Sequence, residues 1–253
     1  MAPPDFGDFG ALEMIQGIFS TIFVVVTIYI GLVFISKYFE HKNRNLYIFG
    51  FFWIGAATFF VAIPLQFFLI WFGITTPDYT YLFTMYVPLP IMTFGWLTAI
   101  TSLLYFDRRN LFLRVFLLIA ILLEISFFVL FFIQPDLIAR RSGYFYMEMA
   151  PFGMFYVVFL IAFILFSGIF FGRSSLDSND PEIRMKGRLI IISIMIFAGG
   201  AAMDIIIPPL ELDLVIKAII TIIARILMSS SGILFYIGFM LPNWSKKILF
   251  RKK

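Results

Sequence analysis

The 253-residue sequence contains no cysteine and a single histidine, His41. Disulfides, thiolate metal sites and cysteine nucleophiles are therefore excluded, and no serine–histidine pair can form away from His41. Charge is also scarce: Asp, Glu, Lys and Arg make up 13% of the chain, against about 25% in soluble domains. Gly/Ser-rich linkers and long polar segments are missing, so no attached soluble catalytic or DNA-binding domain is expected. What remains is apolar, with 62% hydrophobic residues, 35 phenylalanines and a mean hydropathy of +1.00. A soluble fold of this length has too little interior to hide such a composition, whereas a bilayer solvates both core and exterior.

A helix needs about 20 largely apolar residues to cross the hydrocarbon. The sequence offers seven such runs: Met14 to Ser36, Leu46 to Ile74, Tyr81 to Phe106, Leu111 to Ile133, Pro151 to Phe171, Leu189 to Leu210 and Leu214 to Met240. The expected fold is an all-α integral membrane protein, a seven-helix transmembrane bundle over residues 1–241 followed by a basic tail over 242–253. Basic residues alternate between the breaks. Lys37, Lys42 and Arg44 follow span one, Arg108, Arg109 and Arg114 follow span three, Arg173, Arg184, Lys186 and Arg188 follow span five, and Lys246, Lys247, Arg251, Lys252 and Lys253 close the chain. The remaining breaks hold only Arg140 and Arg141. Excess positive charge marks the cytoplasmic side, which predicts an outer N-terminus and a cytoplasmic C-terminus. The acidic residues Asp5, Asp8 and Glu13, with no basic leader, predict that span one is an anchor and not a cleaved signal. Asp180 as N-cap and Pro181 at the first helical position should start helix six before the membrane. In the tail, Trp244, Ile248, Leu249 and Phe250 interleave with basic residues, a pattern suited either to an interfacial segment on anionic inner-leaflet lipids or to a plain stop-transfer anchor.

Ionisable residues inside a span cost several kcal/mol unless paired or hydrated, which makes them the first candidates for function. Glu124, Asp204, Lys217 and Arg225 stand out. At about 1.5 Å of rise per residue, Glu124 and Arg225 both fall roughly 14 to 17 Å below the outer surface, and Asp204 and Lys217 roughly 5 to 9 Å. Equal depth predicts two pairs, Glu124 with Arg225 and Asp204 with Lys217, which act either as structural ion pairs or as the lining of a polar site. On span seven Lys217, Thr221, Arg225, Ser229, Gly232 and Tyr236 share one helical stripe, and on span six Ser193, Gly200, Asp204 and Pro208 do the same; Gly199, Gly200, Ala201 and Ala202 permit close helix contact. Stripes also run along span one (Gln16, Ser20, Thr27, Gly31) and span two (Gly55, Thr58, Ala62, Gln66). Pro64, Pro88, Pro90, Pro208 and Pro209 weaken the outer halves of spans two, three and six. With Gln66 and Tyr86 in the same layer, and Tyr144, Phe145, Tyr146 and Glu148 in the longest outer loop, an outward-opening pocket with that loop as lid is expected. Packing seams and interfacial aromatics are the competing reading. The candidate ligand-binding set is Glu124, Arg225, Asp204, Lys217, Gln66 and Tyr86. Residues for acid–base or metal chemistry are missing, so neither an enzyme nor a cofactor is expected.

A seven-helix chain with its N-terminus outside resembles three families. It shares topology with G-protein-coupled receptors, and Asp107, Arg108 and Arg109 stand where those carry Asp-Arg-Tyr; span seven has no Asn-Pro-x-x-Tyr, span two has no Asp, and there is no outer disulfide. It resembles microbial rhodopsins less, since Lys217 lies about one turn from the outer end of its helix instead of midway. It is most similar to the seven-helix sensor regions of prokaryotic histidine kinases, in orientation, compact outer loops and the basic exit Leu241 to Lys247. That resemblance implies ligand sensing, with the signal passed to a separate cytoplasmic partner because no kinase domain is present. A transporter or channel, or a structural subunit of a membrane complex, are the alternatives. The heavy use of Phe and Ile resembles archaeal membrane proteins.

Overall fold

The structure is a computed structural model that describes residues 10–104, 107–142, 145–206, 210 and 212–249. Its long elements are α1 (Ala11–His41), α2 (Arg44–Leu69), α3 (Asp78–Tyr86), α4 (Pro88–Leu103), α5 (Arg109–Ile133), α6 (Pro151–Leu176), α7 (Pro181–Ile206) and α8 (Leu214–Met240), with a short tail helix α9 (Asn243–Leu249). Taking α3 and α4 as one interrupted span, seven helices are long and apolar enough to cross a membrane. The sequence expectation of a bundle is met, with one local expectation confirmed and two differences. The third span is broken at Val87, where Pro88 and Pro90 cannot donate to the preceding turn. The sixth helix begins at Pro181 with the Asp180 carboxylate accepting from Glu182 N at 2.8 Å, the expected cap. The fold is not purely α: Ala139–Ser142 (β1) and Tyr146–Met149 (β2) form an antiparallel hairpin in the loop expected to act as a lid. Pro208, Pro209 and Tyr144 lie outside the described residues.

The hairpin sits at one end of the bundle and α9 at the other; these are the hairpin end and the tail end. Pairing of Ala139 with Met149 and Arg141 with Met147 puts those four on one face of the hairpin, toward the bundle, while Arg140 and Glu148 point away. Arg141 ties this face down: it donates to the Thr76 carbonyl at 2.9 Å, contacts Asp78 at 3.0 Å and lies 4.8 Å from the centre of the Tyr81 ring.

Six of the spans close a ring in the order α1, α2, α3/α4, α6, α7, α8 and back to α1. Small residues set the closest approaches. A Cβ on Gly31 would meet the Gly50 carbonyl at 2.7 Å, and one on Gly187 would meet the Gly172 carbonyl at 2.6 Å. Gly200 packs against α8, where a Cβ would meet the Ala224 carbonyl at 3.0 Å, whereas Gly199 has nothing within 4 Å and takes no part in the contact expected of it. Hydrogen bonds link neighbours: Trp96 Nε1 donates to Ser167 Oγ at 2.9 Å, and Ser193 Oγ donates to the Ser231 carbonyl at 2.7 Å. The fourth span, α5, lies outside the ring across the seam of α3/α4 with α6, and buries only Phe116, Ala120 and Phe127. At the tail end Lys246 of α9 pairs with Glu182 of α7 at 2.6 Å, while Trp244 and Ile248 are left exposed.

Candidate functional site

Arg225 is the most deeply placed charge in the described structure, with 2% of its side chain exposed. Its Nη1 donates to Asp204 of α7, its Nε donates to Ser20 Oγ of α1 at 3.1 Å, and its guanidinium lies 4.1 Å from the centre of the Phe60 ring of α2. Four helices thus converge on one cation, which receives a counter-charge, a neutral acceptor and an aromatic face. Pro64 adds to this: lacking an N–H, it leaves the carbonyl of Phe60 without its helical donor.

The equal-depth pairing does not occur. Arg225 pairs with Asp204, not with Glu124, and Asp204 does not pair with Lys217. The reason is side-chain direction. Helix side chains tilt toward their own N-terminus, and α8 starts at the hairpin end. Arg225 therefore reaches up from its own level to Asp204, and Lys217 is carried away from it. Among the described residues Lys217 makes no ion pair. Glu124 is on α5, outside the ring, and its carboxyl neighbours the Tyr156 hydroxyl of α6.

Two adjoining cavities flank the Arg225–Asp204 pair and share Phe59, Phe60 and Asp204. The upper one, under the hairpin, has about 50 Å³ open to a water-sized molecule; Gln16, Tyr81, Met85, Phe145, Met147, Met149 and Arg225 contribute to its walls. The lower one has about 40 Å³ on the same measure and reaches Met92, Thr93, Phe197 and Met228. Within the upper cavity the Gln16 side-chain oxygen is buried and has no partner among the described residues, and the thioethers of Met85, Met147 and Met149 provide a deformable lining.

Toward the tail end an aromatic layer follows. Trp53, Trp96, Phe49, Phe52 and Phe235 are all buried, with the Phe235 ring 5.3 to 5.6 Å from those of Phe49, Trp53 and Trp96. Gly232 lies against it: a Cβ there would come within 2.8 Å of Ile30 and 3.3 Å of Trp53. Ser231 is buried, and Tyr236 packs at 5.6 Å from Phe34.

The other two candidates sit apart from the ion pair. Gln66 is a loop tie, its Oε1 accepting from Thr76 N at 2.5 Å and from the Thr76 hydroxyl, with its Nε2 buried and unpartnered. Tyr86 belongs with Glu124 and Tyr156 on the α5 seam. Pro90 lacks the N–H that would bond the Tyr86 carbonyl, and Tyr156 supplies the replacement donor at 3.3 Å. The Tyr86 hydroxyl and Glu124 Oε2 are buried without partners. Of the six candidates, therefore, Arg225 and Asp204 come together at the cleft, Tyr86 and Glu124 form a second cluster, and Gln66 and Lys217 stand alone. The sequence named Gln16 and Ser20 only as stripe residues and passed over Phe59, Phe60 and the three methionines; the period-2 spacing of Met147 and Met149 was the one available signal for the latter. No family model, curated protein or solved structure matches the chain.

Proposed function

We propose that the chain is a receptor-like membrane sensor, which binds a small ligand in the cleft beneath the hairpin and signals to a separate cytoplasmic protein. The hairpin end faces outward and the tail end faces the cytoplasm, because Arg108, Arg109, Arg184, Lys186, Lys246 and Lys247 gather at the tail end while the hairpin end holds Arg140 and Arg141. The observation that carries the reading is a cleft under the hairpin that holds Gln16 and the Arg225–Asp204 pair, with a layer of buried, mutually packed aromatic rings below it. A transporter needs a route onward from its site; a sensor needs a floor. The lining suits a small, partly apolar ligand bearing a hydrogen-bond donor for the free Gln16 oxygen. A ligand that competes for Asp204 or Arg225 shifts α7 against α8. The Glu182–Lys246 pair passes that shift to α9, whose exposed Trp244 and Ile248 lie against anionic inner-leaflet lipid or the partner.

The absence of cysteine makes the test clean. Single cysteines are introduced and labelled with a membrane-impermeant maleimide in intact and in permeabilised cells. Arg140→Cys and Met147→Cys should label from outside, Lys247→Cys only after permeabilisation, and Ser231→Cys from neither side. Labelling of Ser231→Cys would replace sensing by transport. Small molecules found by thermal-shift screening should protect Met147→Cys from the reagent; a panel that stabilises the protein without any such protection would place the ligand elsewhere.

A further inference from the structure

The seam between α5 and the ring differs along its length. In the hairpin half it is filled by Tyr86, Phe127 and Tyr156. In the tail half it opens into an apolar groove with about 470 Å³ open to a water-sized molecule, lined by Ile100 and Thr101 of α4 and Leu104 just after it, Phe112 of α5, and α6 residues from Phe159 to Phe170. The α6 wall runs from Phe159 to Phe170, roughly 16 Å of helix rise, or about half of the roughly 30 Å hydrocarbon thickness. The groove is therefore one leaflet deep. Phe116 packs beside it, its ring 5.0 Å from Phe163 and 6.5 Å from Phe94.

Helical periodicity continues both walls into cations. Arg109 lies three residues before Phe112 on α5, and Arg173 lies three residues after Phe170 on α6, each on the groove-facing side of its helix. Arg173 is exposed. Arg109 donates to the Thr98 carbonyl of α4 at 3.4 Å, and its Nε is buried with no partner among the described residues. A buried guanidinium N–H left unfilled calls for an acceptor.

We propose that this groove is a binding site for an anionic phospholipid of the tail-side leaflet, with an acyl chain lying along Phe112, Phe163 and Phe170 and the phosphate between Arg109 and Arg173. The site is separate from the cleft under the hairpin and does not depend on the sensing role. Phospholipid is the fitting occupant because the slot has the depth of one leaflet, is open laterally to the bilayer, and is flanked by Arg109 and Arg173 at headgroup level.

The test is native mass spectrometry of the purified full chain with equal amounts of dioleoylphosphatidylglycerol and dioleoylphosphatidylcholine. One phosphatidylglycerol should be retained about 25-fold over phosphatidylcholine, from about fivefold per arginine. The Arg109→Gln/Arg173→Gln variant should hold the two lipids equally, and Ala162→Phe, which fills the groove, should hold neither. Lys246→Gln/Lys247→Gln in the tail should leave the preference unchanged, and millimolar inorganic phosphate should not displace the lipid. Equal retention by the native chain, a preference that survives loss of both arginines, or displacement by phosphate alone would overturn the assignment. If a variant fails to fold, brominated-chain phosphatidylglycerol should quench Trp96, whose indole bonds Ser167 in the groove wall, in a chain whose other three tryptophans are phenylalanine; absence of quenching refutes the site.

Discussion

Replacing Arg225 by leucine would strip Asp204 of its counter-charge in a wall that leaves the Asp204 side chain 14% exposed. Removing one partner of a buried pair costs about 3–5 kcal/mol, because the remaining charge stays buried without compensation. Contact with the cleft lets some water reach Asp204, which moves the expectation to the low end, about 3 kcal/mol. Loss of the Ser20 hydrogen bond and of the Phe60 face adds about 1 kcal/mol each. Adding Asp204→Leu removes the orphaned carboxylate and replaces the pair by apolar bulk, which is close to neutral in buried sites. The double variant should thus recover at least about 2 kcal/mol over Arg225→Leu alone, a coupling of the size expected for residues in contact. Unfolding by sodium dodecyl sulfate in mixed micelles, followed by circular dichroism, reads the difference. Crossing Arg225→Leu with Glu124→Gln should recover nothing, since Glu124 faces Tyr156 from outside the ring. Rescue by Glu124→Gln, or no rescue by Asp204→Leu, would refute the reasoning.

Neighbouring glycines on α7 should behave oppositely. Gly200→Ala forces a methyl to within 3.0 Å of the Ala224 carbonyl and should cost about 1–3 kcal/mol, whereas Gly199→Ala meets nothing within 4 Å and should gain about 0.5–1 kcal/mol from helix propensity; thermal unfolding of both in one detergent checks the sign. Tyr156→Phe leaves the Tyr86 carbonyl without a donor and should cost about 1–2 kcal/mol. Pro90→Ala restores an N–H, so Tyr156→Phe should cost less in that background; equal cost in both would show that the hydroxyl serves another partner. Arg141→Met removes the hairpin's bonds to Thr76 and Asp78. It should speed hydrogen exchange across Ala139–Ser142 and Tyr146–Met149 while the unfolding midpoint of the bundle moves little; unchanged exchange would mean that packing of Phe145 and Met147 alone holds the strands.

The long helices were legible because apolar length is a one-dimensional property, and span seven was bounded at Leu214 and Met240 as found. The Asp180–Pro181 start was legible for the same reason, since capping is local. The ion pairing was not, because it depends on which helices are neighbours and on side-chain tilt. Two residues at equal Cα depth on α5 and α8 are separated by the ring, while Arg225 and Asp204, several ångströms apart in depth, meet across adjacent helices. The hairpin was hidden by Arg141, an inward-facing arginine that breaks the alternation expected of a half-buried strand. Its partners Thr76 and Asp78 come from the far side of the loop sequence, and no spacing rule brings them together.

The placement of α5 follows from direction. Both α4 and α6 run from the hairpin end to the tail end, and they are neighbours in the ring. Two parallel neighbours cannot be joined by a tight turn. The chain has to travel back the full height of the bundle between them, much as a crossover returns the chain between parallel strands of a sheet. Helix α5 is that return stroke, carried outside because the ring is already closed. Its obligations are length and apolarity, and most of its surface is left uncovered by the rest of the bundle. Apart from Phe112, Phe116, Ala120 and Phe127, its positions should accept one apolar residue for another freely, and a ring joined in a different chain order would not need it as a connection.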